Sequence, residues 1–368
     1  MSLFGFKVRS NSYEGALGFL LAMPFSWPSP PFYWCSFVVF LFAIINNTGG
    51  RFDPARSATA FLVCFLIILA LFSNLYSLNG RFDIDSFRVF SSSLFFGFFL
   101  FGGMLKDGRG LLYGFIQGML LWAILVVFLA FYTNIFNYGL LLFSVPNYRL
   151  WGEEYFPDWP NYFAFMLALA FLLNSLLFKR PFVSIVLLSA AMLTTSRTPV
   201  LAFGLFMFYT VIVKGIYGIY MERVLSVVSI LLILISIVIL VPSGGEFMDR
   251  LTVIEDRVEI YSFALEMTHD ALLLGNGSIL LDKSVGFGGH ASFHNTYLDI
   301  LVRHGLFALI AFLILIIPGY KKMSIGGVGF MVVIFFFIIG SLFQNFLKHP
   351  HVVMLFMTIM HSSKIFNK

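Results

Sequence analysis

Charge is scarce in this chain. Asp, Glu, Lys and Arg make up 11% of 368 residues against 60% hydrophobic ones, and the mean hydropathy is +0.93. A soluble globular domain carries about 25% charged residues, so that class is excluded and a polytopic membrane protein is expected. Cysteine is almost missing: Cys35 and Cys64 each lie inside an apolar run, which excludes a disulfide or thiolate-metal framework and makes both read as small packing residues. There is no phosphate-cradling glycine loop, nucleophile elbow or cofactor fingerprint, and no cofactor is expected. Internal repeats and low-complexity tracts are also lacking, which leaves residues 1–368 as a single integral membrane domain. Phenylalanine, by contrast, is abundant at 48 residues, as lipid-facing and interfacial positions favour.

A bilayer-crossing helix needs about 20 mainly apolar residues, fewer when it packs inside a bundle. Twelve spans meet that rule, near 13–28, 31–46, 57–77, 86–105, 110–133, 159–178, 181–195, 198–217, 223–241, 294–319, 325–346 and 350–365. The expected fold is therefore all-α, a bundle of about 12 transmembrane helices. Lys7 and Arg9 precede the first apolar stretch without a small-residue cleavage site behind it, so that stretch reads as a retained span.

Basic residues then orient the bundle, because short cytoplasmic loops collect Lys and Arg. With the N-terminus inside, the inner side holds 14 cations against 4 carboxylates, and the outer side 9 cations against 14 carboxylates. The basic excess is topogenic and implies no nucleic acid; membrane lipids, through anionic headgroups of the inner leaflet, are its expected partner. Residues 242–293, between spans 9 and 10, become one large periplasmic loop. It contains eight carboxylates (Glu246, Asp249, Glu255, Asp256, Glu259, Glu266, Asp270 and Asp282) and is the long polar piece around which the chain is organised.

Arginines on a net negative outer face need a reason. Arg149, Arg197, Arg257 and Arg303 all fall near the outer ends of spans, where they are placed to converge on an anionic group. Arginine binds phosphate bidentately and is less costly to desolvate than lysine. Arg197 stands in Thr194-Thr195-Ser196-Arg197-Thr198-Pro199, with Pro199 suited to the first turn of a helix and Thr198 to its cap. From Arg257 to Met267 apolar residues recur at helical spacing with charges between them, an amphipathic helix within the loop that includes Tyr261. Gly275-Asn276-Gly277 ends it. With a helix starting near Phe293, Asn295, Asp299 and Arg303 form one polar stripe, Asp299 and Arg303 as a local ion pair, with Asn295 open to either a capping or a sugar-orienting role. His294 opens the last apolar block and suits either a general base or a capping histidine. His290 has the i, i+4 spacing of a second metal ligand, but Gly288-Gly289 argues against a helix there and no metal site is expected.

The order Ser196-Arg197 at a span start, Arg257 with Tyr261 four residues on, Gly275-Asn276-Gly277, then His294-Asn295-Thr296-Tyr297-Leu298 and Gly305, resembles the O-antigen ligase and O-antigen polymerase family. Arg149-Leu150-Trp151-Gly152 with Pro160-Asn161 is similar to that family's outer loop. The resemblance implies a bacterial inner-membrane glycosyltransferase that takes a glycan from undecaprenyl diphosphate on the periplasmic face, without a metal or nucleotide sugar. It implies diphosphate binding by Arg197, Arg257 and Arg149, a base at His294, and supporting contacts from Asn295, Tyr261 and Arg303. The implied partners are the lipid-linked glycan donor, a glycan acceptor (a carrier-linked repeat unit or lipid A-core) and a chain-length regulator. The ligase pattern of His-Asn, nine residues, Gly, two residues, then Gly, Thr or Tyr is met through Gly305 and departs at Ala308, so repeat-unit polymerase is preferred to ligase. A transporter or flippase is the rival reading; unlike halves and ionisable residues gathered at span ends stand against it.

Overall fold

The computed structural model of the chain describes residues 12–22, 54–76, 90, 91, 94, 108–138, 160–193, 198–214, 255–277, 293, 295–316, 320–343, 345–361, 365 and 366. Among them all regular secondary structure is helical, with no strand. In chain order the α-helices are α1 Ser12–Leu21, α2 Pro54–Tyr76, α3 Gly108–Tyr138, α4 Pro160–Leu173, α5 Pro181–Leu193, α6 Thr198–Lys214, α7 Glu255–Asp270, α8 Thr296–Ile316, α9 Tyr320–Phe343 and α10 Pro350–His361. A π-helical turn, Asn174–Phe178, extends α4, and a 3-10 turn, Phe346–Lys348, joins α9 to α10. These helices coincide with predicted spans and, in α7, with the helix predicted from Arg257 to Met267. The spans expected near 31–46 and 223–241 lie outside the described residues, and that near 86–105 is described only at Phe90, Ser91 and Leu94.

Among the described residues two helices are long and apolar enough to cross a membrane alone, Gly108–Leu125 and Thr296–Ile316, while the other apolar helices run to 10–17 residues. The second is not one continuous rod. Gly305 (φ 81°, ψ 179°) breaks it, so Thr296–Ile316, within the expected span 294–319, is two helical pieces meeting at a glycine of positive φ. Its start also differs from the expected Phe293: the helix begins at Thr296, because the Asn295 side chain caps it.

The distribution of polarity suits lipid outside and packing inside. On α2, Phe61, Phe65, Ile68, Phe72 and Leu75 are exposed at helical spacing, while Val63, Leu66, Ala70, Ser73 and Asn74 on the other face are buried. Phe182, Phe208, Phe307, Ile310, Ile314 and Phe335 extend the apolar exterior across α5, α6, α8 and α9. So large an apolar surface would drive association in water and is at ease in hydrocarbon. Cys64 belongs to this exterior: it is an exposed free thiol, which corrects its expected role as a packing residue. Interior hydroxyls are satisfied along their own helices, Thr210 to the Phe206 carbonyl at 2.9 Å, Ser341 to Phe337 at 2.8 Å and Thr358 to Met354 at 2.8 Å.

Close crossings set the helix order. Gly18 of α1 and Gly114 of α3 bring the two backbones into direct apposition, leaving no room for a side chain on either. Phe165 of α4 stacks on Phe336 (ring centroids 4.8 Å apart) and meets Phe346 (4.2 Å), so α4 seats against α9 and the turn beyond it. α4 thereby connects two ends of the bundle. At its start Tyr162 stacks on His349, and at its finish Phe178 lies under Arg109 of the first turn of α3.

Candidate active site

The end of the bundle that holds Tyr162 and His349 is also where α8 begins. Asn295 is buried, and its Oδ1 accepts from the Tyr297 and Leu298 amides at 2.9 and 3.1 Å, satisfying donors that a helix start leaves open. Thr296 Oγ1 accepts from the Phe346 amide at 3.0 Å, and Asn345 caps the 3-10 turn by accepting from Leu347 at 3.2 Å. Two capped turns are thus bonded to one another, the first turn of α8 and the α9–α10 connection. Tyr297 adds a hydrogen bond from its hydroxyl to the Ile338 carbonyl at 2.9 Å.

Asp299 and Arg303 form the ion pair their spacing predicts, Oδ2 to Nε at 3.2 Å, with both side chains almost wholly buried. Asp299 Oδ1 has no hydrogen-bond partner among the described residues. One residue on, His304 is buried, lies over Phe90 (4.3 Å between ring centroids) and places Nδ1 3.1 Å from Ser73 Oγ of α2. Because the Ser73 hydroxyl donates to the Ala70 carbonyl at 2.9 Å, its oxygen is left to accept, which assigns the imidazole proton to Nδ1.

The break at Gly305 frees backbone groups that the residues after α7 take up. Asn276 N–H donates to the Val302 carbonyl and Gly277 N–H to that of Arg303, both at 2.8 Å, and Leu306 N–H donates to Leu272 at 2.8 Å. Asn276 also donates through Nδ2 to Met267 at 2.9 Å and Val302 at 3.3 Å, joining the last turn of α7 to the unwound turn of α8. The apolar face of α7, with Ile260, Phe263, Ala264 and Met267, packs on Phe293, Leu298 and Val302. At its other end, Tyr261 donates to the Leu342 carbonyl of α9 at 3.2 Å. The loop helix is therefore held at both ends, alongside the start of α8.

Over residues 182–313 the chain matches the family model described as O-antigen ligase. The match bears out the family that the motifs resemble, and it spans α5 to α8 with the whole of the outer loop. No curated protein matches the chain. Within the matched segment, the two glycine-containing motifs that sequence places 30 residues apart are one backbone junction, Gly275-Asn276-Gly277 against Gly305.

The sequence-derived site residues fall into three groups. Asn295, Arg303 and Tyr261 are described, with the cap, ion pair and hydrogen bond given above. Arg257 stands in the first turn of α7, one turn before Tyr261. His294, Arg197 and Arg149 lie outside the described residues, although α6 does begin at Thr198 with Pro199 in its first turn, as expected. Sequence reasoning missed a cluster beyond the matched segment: Tyr162 stacks on His349 (4.0 Å, 22°) and meets His351 edge-on (5.1 Å), all three buried. Its signal was available as His349-Pro350-His351 at the start of an apolar span. His304 gave no comparable signal, since nothing local marks the α2 serine it meets.

Proposed function

We propose that this protein is a multi-pass inner-membrane glycosyltransferase that transfers a glycan from undecaprenyl diphosphate to a glycan acceptor on the periplasmic face, acting as an O-antigen or related surface polysaccharide polymerase. The observation that carries the reading is the junction of α7 with α8 inside the O-antigen ligase match, which sets the helix bearing Arg257 alongside the helix start that follows His294. In this reading Arg197 and Arg257, with Arg149, hold the diphosphate and stabilise the charge that develops as the bond from the anomeric carbon to the phosphate oxygen breaks. His294 takes the proton of the acceptor hydroxyl as the new carbon–oxygen bond forms, so no metal is needed. Asn295, whose Oδ1 is engaged in capping, retains its amide N–H groups for a sugar, while Tyr261 and Arg303 hold the walls in place.

Polymerase is preferred because Ala308 stands where the ligase pattern has Gly, Thr or Tyr, and its methyl group is packed into the core. The ligase reading is favoured by the description of the matched family. Purified protein supplied with a lipid-diphosphate-linked repeat unit alone separates the two. A ladder of lengthening products without lipid A-core supports the polymerase, and transfer only when lipid A-core is added supports the ligase. His294→Ala should lower the rate about 10²- to 10⁴-fold with donor still bound. Arg197→Lys should lose most activity although charge is kept, since the bidentate fork is gone. EDTA should leave the wild type unchanged. Full activity in His294→Ala, or chelator-sensitive wild type, would overturn the mechanism. Movement of a substrate across liposomes with no glycan joined would replace it with a transporter.

A further inference from the structure

The turn that follows α7 presents three leucines outward. The exposed face of α7 carries Ser262, Leu265, Glu266 and His269, and beyond it Leu272, Leu273 and Leu274 are exposed to between 39% and 53%. Polarity on this face therefore gives way to hydrocarbon within one turn. The α4–α5 turn differs: it carries exposed Lys179 and half-buried Arg180, as a turn facing water and headgroups does.

The leucine turn is fixed at a definite level of the bundle. The Leu306 N–H donates to the Leu272 carbonyl at 2.8 Å, and the next residue of α8, Phe307, belongs to the apolar exterior. Two residues before Leu306, His304 meets Ser73 Oγ of α2 at 3.1 Å, and beside Ser73 the side chains of Phe72 and Leu75 are exposed, Leu75 to 72%. Ser73 is one turn short of the end of α2 at Tyr76. From Leu306 to Ile316 α8 rises only about 16 Å, half of the about 30 Å of hydrocarbon that it has to cross. The break at Gly305 thus lies inside the bilayer, between its midplane and the end of α2, and the leucine turn lies at the same level.

Non-helical backbone is tolerated at that depth when its polar groups are paired. Here the Leu272 carbonyl takes the Leu306 N–H, the Ala271 carbonyl takes the Gly275 N–H at 2.8 Å, and the Asn276 and Gly277 N–H groups are spent on α8. These hydrogen bonds close on the protein and leave the leucine side chains exposed.

We propose that Leu272, Leu273 and Leu274 insert among the acyl chains of the leaflet at which α8 begins, so that the turn after α7 is a membrane anchor and not part of a water-borne loop. Continuity decides the occupant, because the leucines adjoin Phe307 of α8 and lie level with Phe72 and Leu75 of α2, all on the lipid-facing exterior. The anchor ties α7 to the bilayer as well as to α8 and sets the depth of their junction. It rests on the chain being membrane-integral; neither the reaction proposed above nor the assignment of sides enters it.

The test uses the full chain in phosphatidylcholine vesicles, in a background lacking Cys35 and Cys64, with a nitroxide on a single cysteine introduced as Leu272→Cys, Leu273→Cys or Phe307→Cys. Collisions with oxygen, which concentrates in hydrocarbon, and with a neutral nickel chelate, which stays in water, report the surroundings of each label. The labels at 272 and 273 should match that at 307, with high oxygen accessibility and loss of the nickel accessibility shown by the free nitroxide. Both substitutions are at the surface and leave the backbone junction in place; should one variant not fold, the other decides. Nickel accessibility equal to that of the free nitroxide would show that the turn faces water, and exclusion of both reagents would show that protein covers it. Either result overturns the proposal. A label at 307 that behaves as the free nitroxide does would instead overturn the membrane reading on which it rests.

Discussion

Gly275 and Gly305 meet backbone to backbone, both at positive φ (76° and 81°), and a Cβ on Gly275 would lie 2.5 Å from the Arg303 carbonyl and from the Gly305 amide. Neither position has room for a methyl group, and neither backbone conformation suits an L side chain. The contact is the point at which the segment after α7 and the helix α8 become one unit.

Gly275→Ala and Gly305→Ala should therefore each destabilise the protein by about 1–3 kcal/mol from backbone strain alone, with the steric clash adding to it. Gly204→Ala is the control: nothing lies near its Cβ position in α6, and alanine is favoured over glycine in a helix by about 1 kcal/mol. Thermal unfolding of the three variants in one detergent should lower the midpoint for the first two and leave or raise it for the third.

The Asp299–Arg303 pair is buried, so it should respond asymmetrically. Arg303→Met leaves an unpaired buried carboxylate and should cost about 3–5 kcal/mol, whereas the double variant Asp299→Leu, Arg303→Met removes both charges and should be close to neutral for stability. A double-mutant cycle on unfolding midpoints checks this, and equal losses in the single and double variants would show that the pair is not coupled.

Asn276→Ala should loosen α7 from α8 by removing both side-chain hydrogen bonds while leaving the backbone junction in place. Two neutral hydrogen bonds are together worth about 1–3 kcal/mol, enough to broaden the separation without unfolding the chain. Spin labels at Glu266 on α7 and Phe307 on α8, both exposed, should give a narrow distance distribution in the wild type and a broader one in Asn276→Ala.

The charge count makes a topological prediction. In a background lacking Cys35 and Cys64, a membrane-impermeant thiol reagent applied from outside should label a cysteine placed at Lys283 and spare ones at Lys179 and Lys321. The contacts set the α4–α5 turn bearing Lys179 at the opposite end of α4 from the α9–α10 turn. Labelling at Lys321 but not Lys283 would reverse the assignment of sides.

By itself the sequence determined the class of the protein, the positions of the described helices, including the helix that begins near Arg257, and the i, i+4 ion pair. Each depends on composition or on spacing within one helix, and lipid as solvent makes those local signals strong. The family was legible for the same reason, as an ordered series of short motifs. What only the tertiary structure decided are relations between distant segments. Gly305 breaks a run apolar enough to be read as one helix, because Asn276, Gly277 and Leu272 supply hydrogen-bond partners for the backbone that the break exposes. Cys64 turns outward, and Ser73, on the opposite face of α2, turns inward to meet His304, far along the chain. Tyr162 comes to rest on His349 because Phe165, on the same helix, is gripped by α9. Periodicity states which face of a helix is apolar, but in a membrane both faces are, and the partner of each face is set by packing and by the few polar groups that must be satisfied.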